Sequence, residues 1–362
     1  MSRELPTFPW DSLASAKSLA AAHPDGLVDL SVGTPVDPVP AVVQQGLLAA
    51  AAEPGYPTTH GTPALRAAAA GALARRHGVT VSPTDVLPTI GSKELVAWLP
   101  TLLGAGPGDT VVIPALAYPT YEVGVRLAGA SVLRTDGLLA AGPLRPALVW
   151  VNSPSNPTGT VLPVEHLRKV VDWARERGAV VASDECYLTL GYSGEPPRSI
   201  LHPDVCGGRF DGLLAVHSLS KSSSLAGYRA GFVTGDPALV ERLLAARKHA
   251  GMIVPLPVQS AMTAALSDDE HVAAQRGRFA ARREVLSGAL RAAGFRIDHS
   301  EAGLYLWATR DEPAWDTVDR LARRGVLVAP GTIYGPTGDR HVRVALTATD
   351  AQVAMVPGRL AG

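Results

Sequence analysis

From about Gly108 onward, short apolar runs bounded by Gly, Pro or Asp alternate with amphipathic stretches. That alternation restricts the chain to an α/β architecture, a mostly parallel sheet with crossover helices on both faces. The expected strands are residues 109–114, 131–134, 147–152, 179–183, 212–217 and 231–234, short enough to be buried on both faces. Between two of them Leu167, Val170, Val171 and Ala174 recur at helical spacing among charged residues, and Gly178 is placed to end that helix.

A second helix over 238–249 runs out before Gly251, Pro255 and Pro257, which marks a boundary between lobes. A chain of 362 residues is longer than one core usually serves, so two lobes are expected. The large domain covers 40–250, and the smaller α+β domain combines 1–39 with 251–362. Helices at 259–266 and 272–293 and strands at 295–298 and 304–308 belong to the smaller one. Alanine-rich 67–70 reads as close-packed helix surface without chemistry.

The 33 basic and 33 acidic residues cancel without forming blocks, which argues against nucleic acid or an anionic membrane as partner. Any anion site must therefore be local. Cys186 and Cys206 are the only cysteines, and neither they nor the ten histidines have metal-ligand spacing, so no metal and no disulfide are expected. No leader-like start or apolar run of membrane-spanning length is present in the sequence, and a cytoplasmic location is the expectation.

In parallel sheets ligands bind beyond the carboxyl ends of strands, so polar residues just after strands carry most of the functional signal. Three such places are Asn152-Ser-Pro-Ser-Asn-Pro-Thr-Gly159, Ser183-Asp-Glu-Cys-Tyr187 and the stretch from Ser218 to Arg229 around Lys221. An amine at Lys221, hydroxyls at Ser218 and Ser220 and the guanidinium of Arg229 suit a phosphate next to a Schiff base, which points to pyridoxal phosphate. That cofactor is an electron sink only while its ring nitrogen is protonated, and Asp184 is the carboxylate placed to keep it so. Asn156 and Tyr187 could donate to its phenolic oxygen.

The run Thr89-Ile-Gly-Ser-Lys-Glu94 leads into a helix near Ser92, so Gly91, Ser92 and Lys93 would offer free backbone donors to the same phosphate. Tyr118 follows another strand and could stack on the ring. Arg343, alternating within His341-Val-Arg-Val-Ala-Leu346, is a candidate two-pronged clamp for a carboxylate. His217 beside Ser218 reads as a core histidine, since no nucleophile elbow accompanies it.

With these residues in this order, from Leu30-Ser-Val-Gly-Thr-Pro35 to Arg343, the chain resembles the fold-type I pyridoxal-phosphate aminotransferases over nearly its whole length. The resemblance implies that Lys221 binds the cofactor and shuttles the proton, that Asp184 pairs with the ring nitrogen, and that Asn156 and Tyr187 hold the phenolic oxygen. It further implies a phosphate site of Ser92, Lys93, Ser218, Ser220 and Arg229, with Tyr118 against the ring. Tyr56 would reach the phosphate of a partner subunit, which makes the enzyme a homodimer. Gly33, Asn156 and Arg343 would meet the substrate.

Phe8-Pro-Trp-Asp11, the segment 33–38 and the segment 216–231 are similar to the N-succinyldiaminopimelate aminotransferases of lysine and diaminopimelate biosynthesis. Glutamate, 2-oxoglutarate and the acidic substrate N-succinyl-2-amino-6-oxopimelate are then expected. An aminotransferase of another amino acid and a lyase on the same fold are the alternatives. Lys248, His249 and Arg310 are candidates for lining the entrance and binding the distal carboxylates, with ordinary surface charges as the alternative.

Overall fold

The computed structural model describes residues 5–361; residues 1–4 and 362, at the two ends of the expected smaller domain, lie outside the described residues. A two-residue strand, β1 (Val28–Asp29), comes first and pairs in parallel with a strand near the other end of the chain. The next seven strands build one sheet: β2 (Val86–Ile90), β3 (Thr110–Ile113), β4 (Ser131–Arg134), β5 (Leu148–Asn152), β6 (Val180–Asp184), β7 (Leu213–Ser218) and β8 (Ala230–Gly235). Their order is β2-β8-β7-β6-β5-β3-β4, and every neighbouring pair from β4 to β7 is parallel. Only β8 runs against the others, antiparallel to both β7 and β2.

The six expected strands all form, each within a residue or so of its anticipated bounds. The seventh, β2, was only a short apolar run in the sequence. Its Pro88 lacks the N–H that an interior strand needs, and the structure accommodates this by putting β2 at the sheet edge. Apolar clusters cover both faces of the sheet, one with Val149, Val151 and Val181, the other with Leu148, Trp150 and Ala182. Successive residues of β5 and β6 point to opposite faces, which is why the apolar run is continuous there.

The last strands are β9 (Arg296–Asp298), β10 (Tyr305–Thr309), β11 (Val326–Leu327), β12 (Ala329–Pro330) and β13 (His341–Ala345). Four of them form a second sheet in the order β12-β13-β10-β9, while β11 receives β1. The long helix Glu270–Ala292 packs its Phe279, Leu286 and Leu290 into the core of this second sheet.

One helix behaves differently from the sequence reading. Leu256–Ser267 was expected in the smaller lobe, yet its Ala261, Met262, Ala265 and Leu266 share a core with Val43, Leu65 and Ala69 beside the large sheet. Gln259 fixes it there: the buried side chain accepts the Thr62 N–H at 2.8 Å and donates to the Val254 carbonyl at 2.9 Å. No helix among the described residues is long and apolar enough to cross a membrane.

Candidate active site

A cleft of about 630 Å³ lies where the carboxyl ends of the central strands face the second sheet. Asp184 ends β6 and Asn152 ends β5, while Ser218 ends β7 and passes directly into a one-turn helix, Leu219–Ser222, that carries Lys221. Asn152 ties two of these ends together: its amide donates to the Asp184 carbonyl at 2.9 Å, and its Oδ1 accepts the Asn156 N–H at 2.7 Å. Sheet pairing thus delivers side chains distant in sequence to one edge.

Asp184 is buried and its carboxylate is held from two sides. Oδ2 accepts from the Tyr121 phenol at 2.8 Å and Oδ1 from the Cys186 N–H at 3.2 Å. Burial raises its pKa, with the hydrogen bonds from Cys186 and Tyr121 opposing the rise. Lys221 donates to the Gly33 carbonyl. Burial lowers its pKa, the field of Tyr305 works against that, and the charges of Arg343 and Arg229 add to it.

The helix Gly91–Leu102 opens on the same cleft. Gly91 has a φ of +68°, and a Cβ there would meet Nη2 of Arg229 at 2.4 Å, so only glycine lets the guanidinium lie across the helix start. Arg229 itself adopts a left-handed φ of +57° and donates to the Ala226 carbonyl at 2.7 Å. Ser92, Lys93, Ser218 and Ser220 line the adjoining wall, giving a concentration of hydroxyl, backbone and cationic donors.

Arg343 enters from the second sheet at the middle of β13 and is 2 % exposed. Its guanidinium lies 3.9 Å from the Tyr305 ring centroid and 5.0 Å from that of Tyr334. Nη1 donates to Asn156 Oδ1 at 2.9 Å and Nη2 to the Ser31 carbonyl at 2.6 Å, while Nε has no partner among the described residues. Because Arg343 occupies the amide oxygen of Asn156, the Asn156 NH2 is left to donate elsewhere. Tyr187 and Tyr305 share a hydrogen bond of 3.0 Å between their hydroxyls. A Cβ on Gly33 would meet the Tyr305 hydroxyl at 2.1 Å, so that position also requires glycine.

Of the residues singled out in the sequence, Gly33, Ser92, Lys93, Tyr118, Asn156, Asp184, Tyr187, Ser218, Ser220, Lys221, Arg229 and Arg343 all line this cleft, with Gly91 directly behind Arg229. Tyr56 does not; it is 99 % exposed on the surface of the chain. The residues expected to bind distal carboxylates are not brought in either. Lys248 and His249 are exposed near the end of the helix Pro237–Ala250, and Arg310 donates to the Ala293 carbonyl at 3.0 Å over the Phe295 ring. The additional cation that lines the cleft is Lys93, whose Nζ sits 5.4 Å from the Phe8 ring centroid.

Four contributors escaped the sequence reading: Tyr121, Cys186, Tyr305 and the wall formed by Phe8 and Trp10. Tyr121 lies three residues after Tyr118, in the first turn of the helix Thr120–Ala128, and that spacing was the available signal. Tyr305 had none, because its place diagonal to Arg343, two residues along from the register partner Trp307, comes from the pairing of β10 with β13.

The family model for class I and II aminotransferases matches residues 25–360. The chain is 65% identical over 361 residues to a probable aminotransferase of Mycobacterium tuberculosis, covering 99% of this chain and 86% of that one. It is 60% identical to the 4-dedimethylamino-4-oxo-anhydrotetracycline transaminase of Streptomyces rimosus, covering 99% of both. Among solved structures, an aminotransferase of Neisseria meningitidis superposes with a TM-score of 0.91 at 30% identity, covering 99% of this chain and 98% of that one.

Proposed function

The chain belongs to the class I and II aminotransferases, enzymes of fold type I that work with pyridoxal phosphate, and from that premise we propose that Lys221 carries the cofactor and that glutamate is the amino donor. The acceptor we name is N-succinyl-2-amino-6-oxopimelate. The observation that carries the reading is the convergence of Lys221, Asp184 and Arg343, from three separate elements, in one cleft.

The residues present fit the cofactor. Gly91 lacks the Cβ that would displace Arg229, so the helix start, Arg229, Ser92, Lys93, Ser218 and Ser220 form a cradle for a phosphate. Asp184 is the buried carboxylate for the ring nitrogen, and the free Asn156 NH2 and the Tyr187 hydroxyl suit the phenolic oxygen. Tyr118 supplies an aromatic face. When bound, pyridoxal phosphate supplies an electron sink for negative charge at the substrate α-carbon.

The protein's own contributions follow from the geometry. Asp184, braced by Tyr121 and Cys186, holds the proton on the ring nitrogen. Lys221, with its basicity lowered by burial, would take the proton from the α-carbon of the amino donor and, in the second half of the cycle, deliver a proton to the carbon that accepts the amino group. Arg343, pinned by Asn156 and the Ser31 carbonyl, orients the α-carboxylate so that the α-proton faces Lys221. Glutamate would leave as 2-oxoglutarate, and the cofactor would supply the carrier that holds its amino group until the second substrate accepts it. Lys93 serves a distal carboxylate in place of Lys248, His249 and Arg310.

The exposure of Tyr56 supports a homodimer in which it reaches the phosphate site of the partner subunit. The pairing of β1 with β11 supports a smaller domain made of 1–39 and 251–362 beside a large one over 40–250, although the helix Leu256–Ser267 packs with the large side.

A second reading follows from the aromatic wall of Phe8, Trp10, Tyr118 and Tyr305 together with the Streptomyces rimosus relative: a flat polycyclic ketone as amino acceptor. Glutamate-dependent amination of a panel of oxo acids, aldehydes and a polycyclic ketone tests both. A high kcat/KM for the succinylated oxo acid supports the first reading, and preference for the polycycle replaces it with the second. Product formation without any acceptor identifies a lyase instead.

A further inference from the structure

Behind the lysine turn, on the side away from the cleft, three side chains form a continuous hydrogen-bonded line. Asp268 Oδ2 is 2.9 Å from His271 Nδ1, and His271 Nε2 is 2.8 Å from Ser223 Oγ. Asp268 is itself fixed, because its Oδ1 accepts the Glu270 N–H at 3.0 Å and its carbonyl accepts from Arg76 at 3.1 Å. A carboxylate at Nδ1 requires the proton there, so Nε2 is the acceptor for the Ser223 hydroxyl. These are the side chains of a hydrolytic triad in their usual order. Ser223, however, is 1 % exposed, so it offers no nucleophile to a substrate.

What Ser223 does touch is the element that carries Lys221. It is the residue that caps the one-turn helix Leu219–Ser222, and its N–H closes that turn on the Leu219 carbonyl at 3.1 Å. Ser224, immediately after it, has a left-handed φ of +54°. A four-residue helix is too short to hold its own geometry, and a strained residue follows it, so the turn needs an outside brace. The brace comes from the first turn of the long helix Glu270–Ala292, which packs Phe279, Leu286 and Leu290 against the second sheet.

We propose that His271, oriented by Asp268, is a positioning residue for Lys221: it clasps Ser223 and so links the lysine turn to the helix Glu270–Ala292. The proposal rests on the reading that Lys221 bears the cofactor. The linkage makes the aim of the amine depend on where that helix sits, while His271 never meets substrate.

His271→Ala, Ser223→Ala, the double variant and His271→Gln are compared with wild type as full-length holoenzyme and as protein stripped of cofactor. In the stripped protein both single variants should exchange the backbone amides of 219–225 about tenfold faster or more, with β5 and β6 unchanged. In the holoenzyme kcat should fall about tenfold or more while KM for glutamate stays within about twofold, since the substrate contacts are intact. The pH midpoint of the visible absorption band of the lysine-bound cofactor should shift as well. His271→Gln, which keeps an acceptor, should recover part of each loss, and the double variant should be no worse than the weaker single one.

Wild-type exchange at 219–225 in both single variants would overturn the proposal, as would a double variant that loses the product of the two single losses. Should His271→Ala fail to fold, Ser223→Ala, which removes one buried oxygen, decides alone. Borohydride reduction and peptide mapping of the wild type test the parent reading separately: a label on a lysine other than Lys221 removes that reading, while the exchange data still report whether the clasp holds the turn.

Discussion

Tyr121 donates a 2.8 Å hydrogen bond to Oδ2 of Asp184 from beneath, with its ring stacked on Trp150 at a centroid distance of 4.8 Å. The carboxylate therefore meets the cleft already oriented, and this orientation can be removed without removing the charge. Tyr121→Phe keeps the stacking and deletes one hydrogen bond to a charged group, worth about 1.5–3 kcal/mol. Its kcat should fall about tenfold to a hundredfold. Asp184→Ala should lose several orders of magnitude, because the proton on the ring nitrogen is no longer held. Equal losses in the two variants would mean that Tyr121 does more than orient.

Lys221→Ala should abolish turnover and still retain cofactor, since the phosphate cradle and Asp184 are untouched. Equilibrium dialysis followed by absorbance would show cofactor bound and released without borohydride trapping. Normal turnover in this variant would remove Lys221 from its role.

Much of this cleft was legible in the sequence, because polar residues that follow apolar runs announce the carboxyl edge of a parallel sheet. Asp184, Asn156, Lys221 and Arg229 were found that way, and the glycine at 91 marked a helix start. Tyr305 could not be found so, since β10 must first be paired with β13 before its ring and Arg343 can be seen to meet. Lys248 and His249 show the reverse error. They lie near the end of a helix whose sequence does not say which side faces the cleft, and both turn to solvent. Pro88 hid β2, because its tolerance at an edge depends on a strand order that no local pattern contains.

Arg343→Lys keeps a charge but gives up the planar fork held by Asn156 and Ser31. KM for glutamate should rise at least about tenfold, with a smaller fall in kcat, as expected when a ground-state carboxylate contact is lost. Amines that lack an α-carboxylate should lose far less. A uniform loss across both classes would move carboxylate binding away from Arg343.

Lys93→Met tests the distal site. Lys93 lines the cleft next to Phe8 and is exposed, so its attraction for a second carboxylate is open to screening by salt. The variant should raise KM severalfold, about threefold to tenfold, for acceptors with a distal acid and spare those without one. Wild type should show the same difference weakening at high ionic strength. If Lys93 serves only the phosphate, all acceptors will be affected alike and cofactor affinity will drop with them.

Glu185, the neighbour of Asp184, gives a prediction in pH. Its Oε1 accepts the Ile200 N–H at 2.7 Å, while Oε2 has no partner among the described residues and lies 3.7 Å from His217 Nε2. Burial, opposed by the Ile200 N–H, pushes its carboxyl up to about 7, and burial pushes the stacked His217 down to about 3. His217 is thus neutral near pH 7, and the contact between them is not an ion pair. A carboxyl whose folded pKa exceeds its unfolded value binds more protons when folded, so the stability it allows at low pH is lost as pH rises from about 4.5 through about 7. His217 acts in the opposite direction over an overlapping window, costing stability as pH falls from about 6.5 toward about 3 in both variant and wild type. Glu185→Gln keeps the acceptor for Ile200 and cannot ionise. Urea midpoints of variant and wild type should lie close at pH 5 and separate by pH 8, with the variant more stable by about 1–3 kcal/mol, given about 1.4 kcal/mol for each pKa step. An advantage of equal size at both pH values would show that Glu185 does not change its protonation in the folded protein over that range.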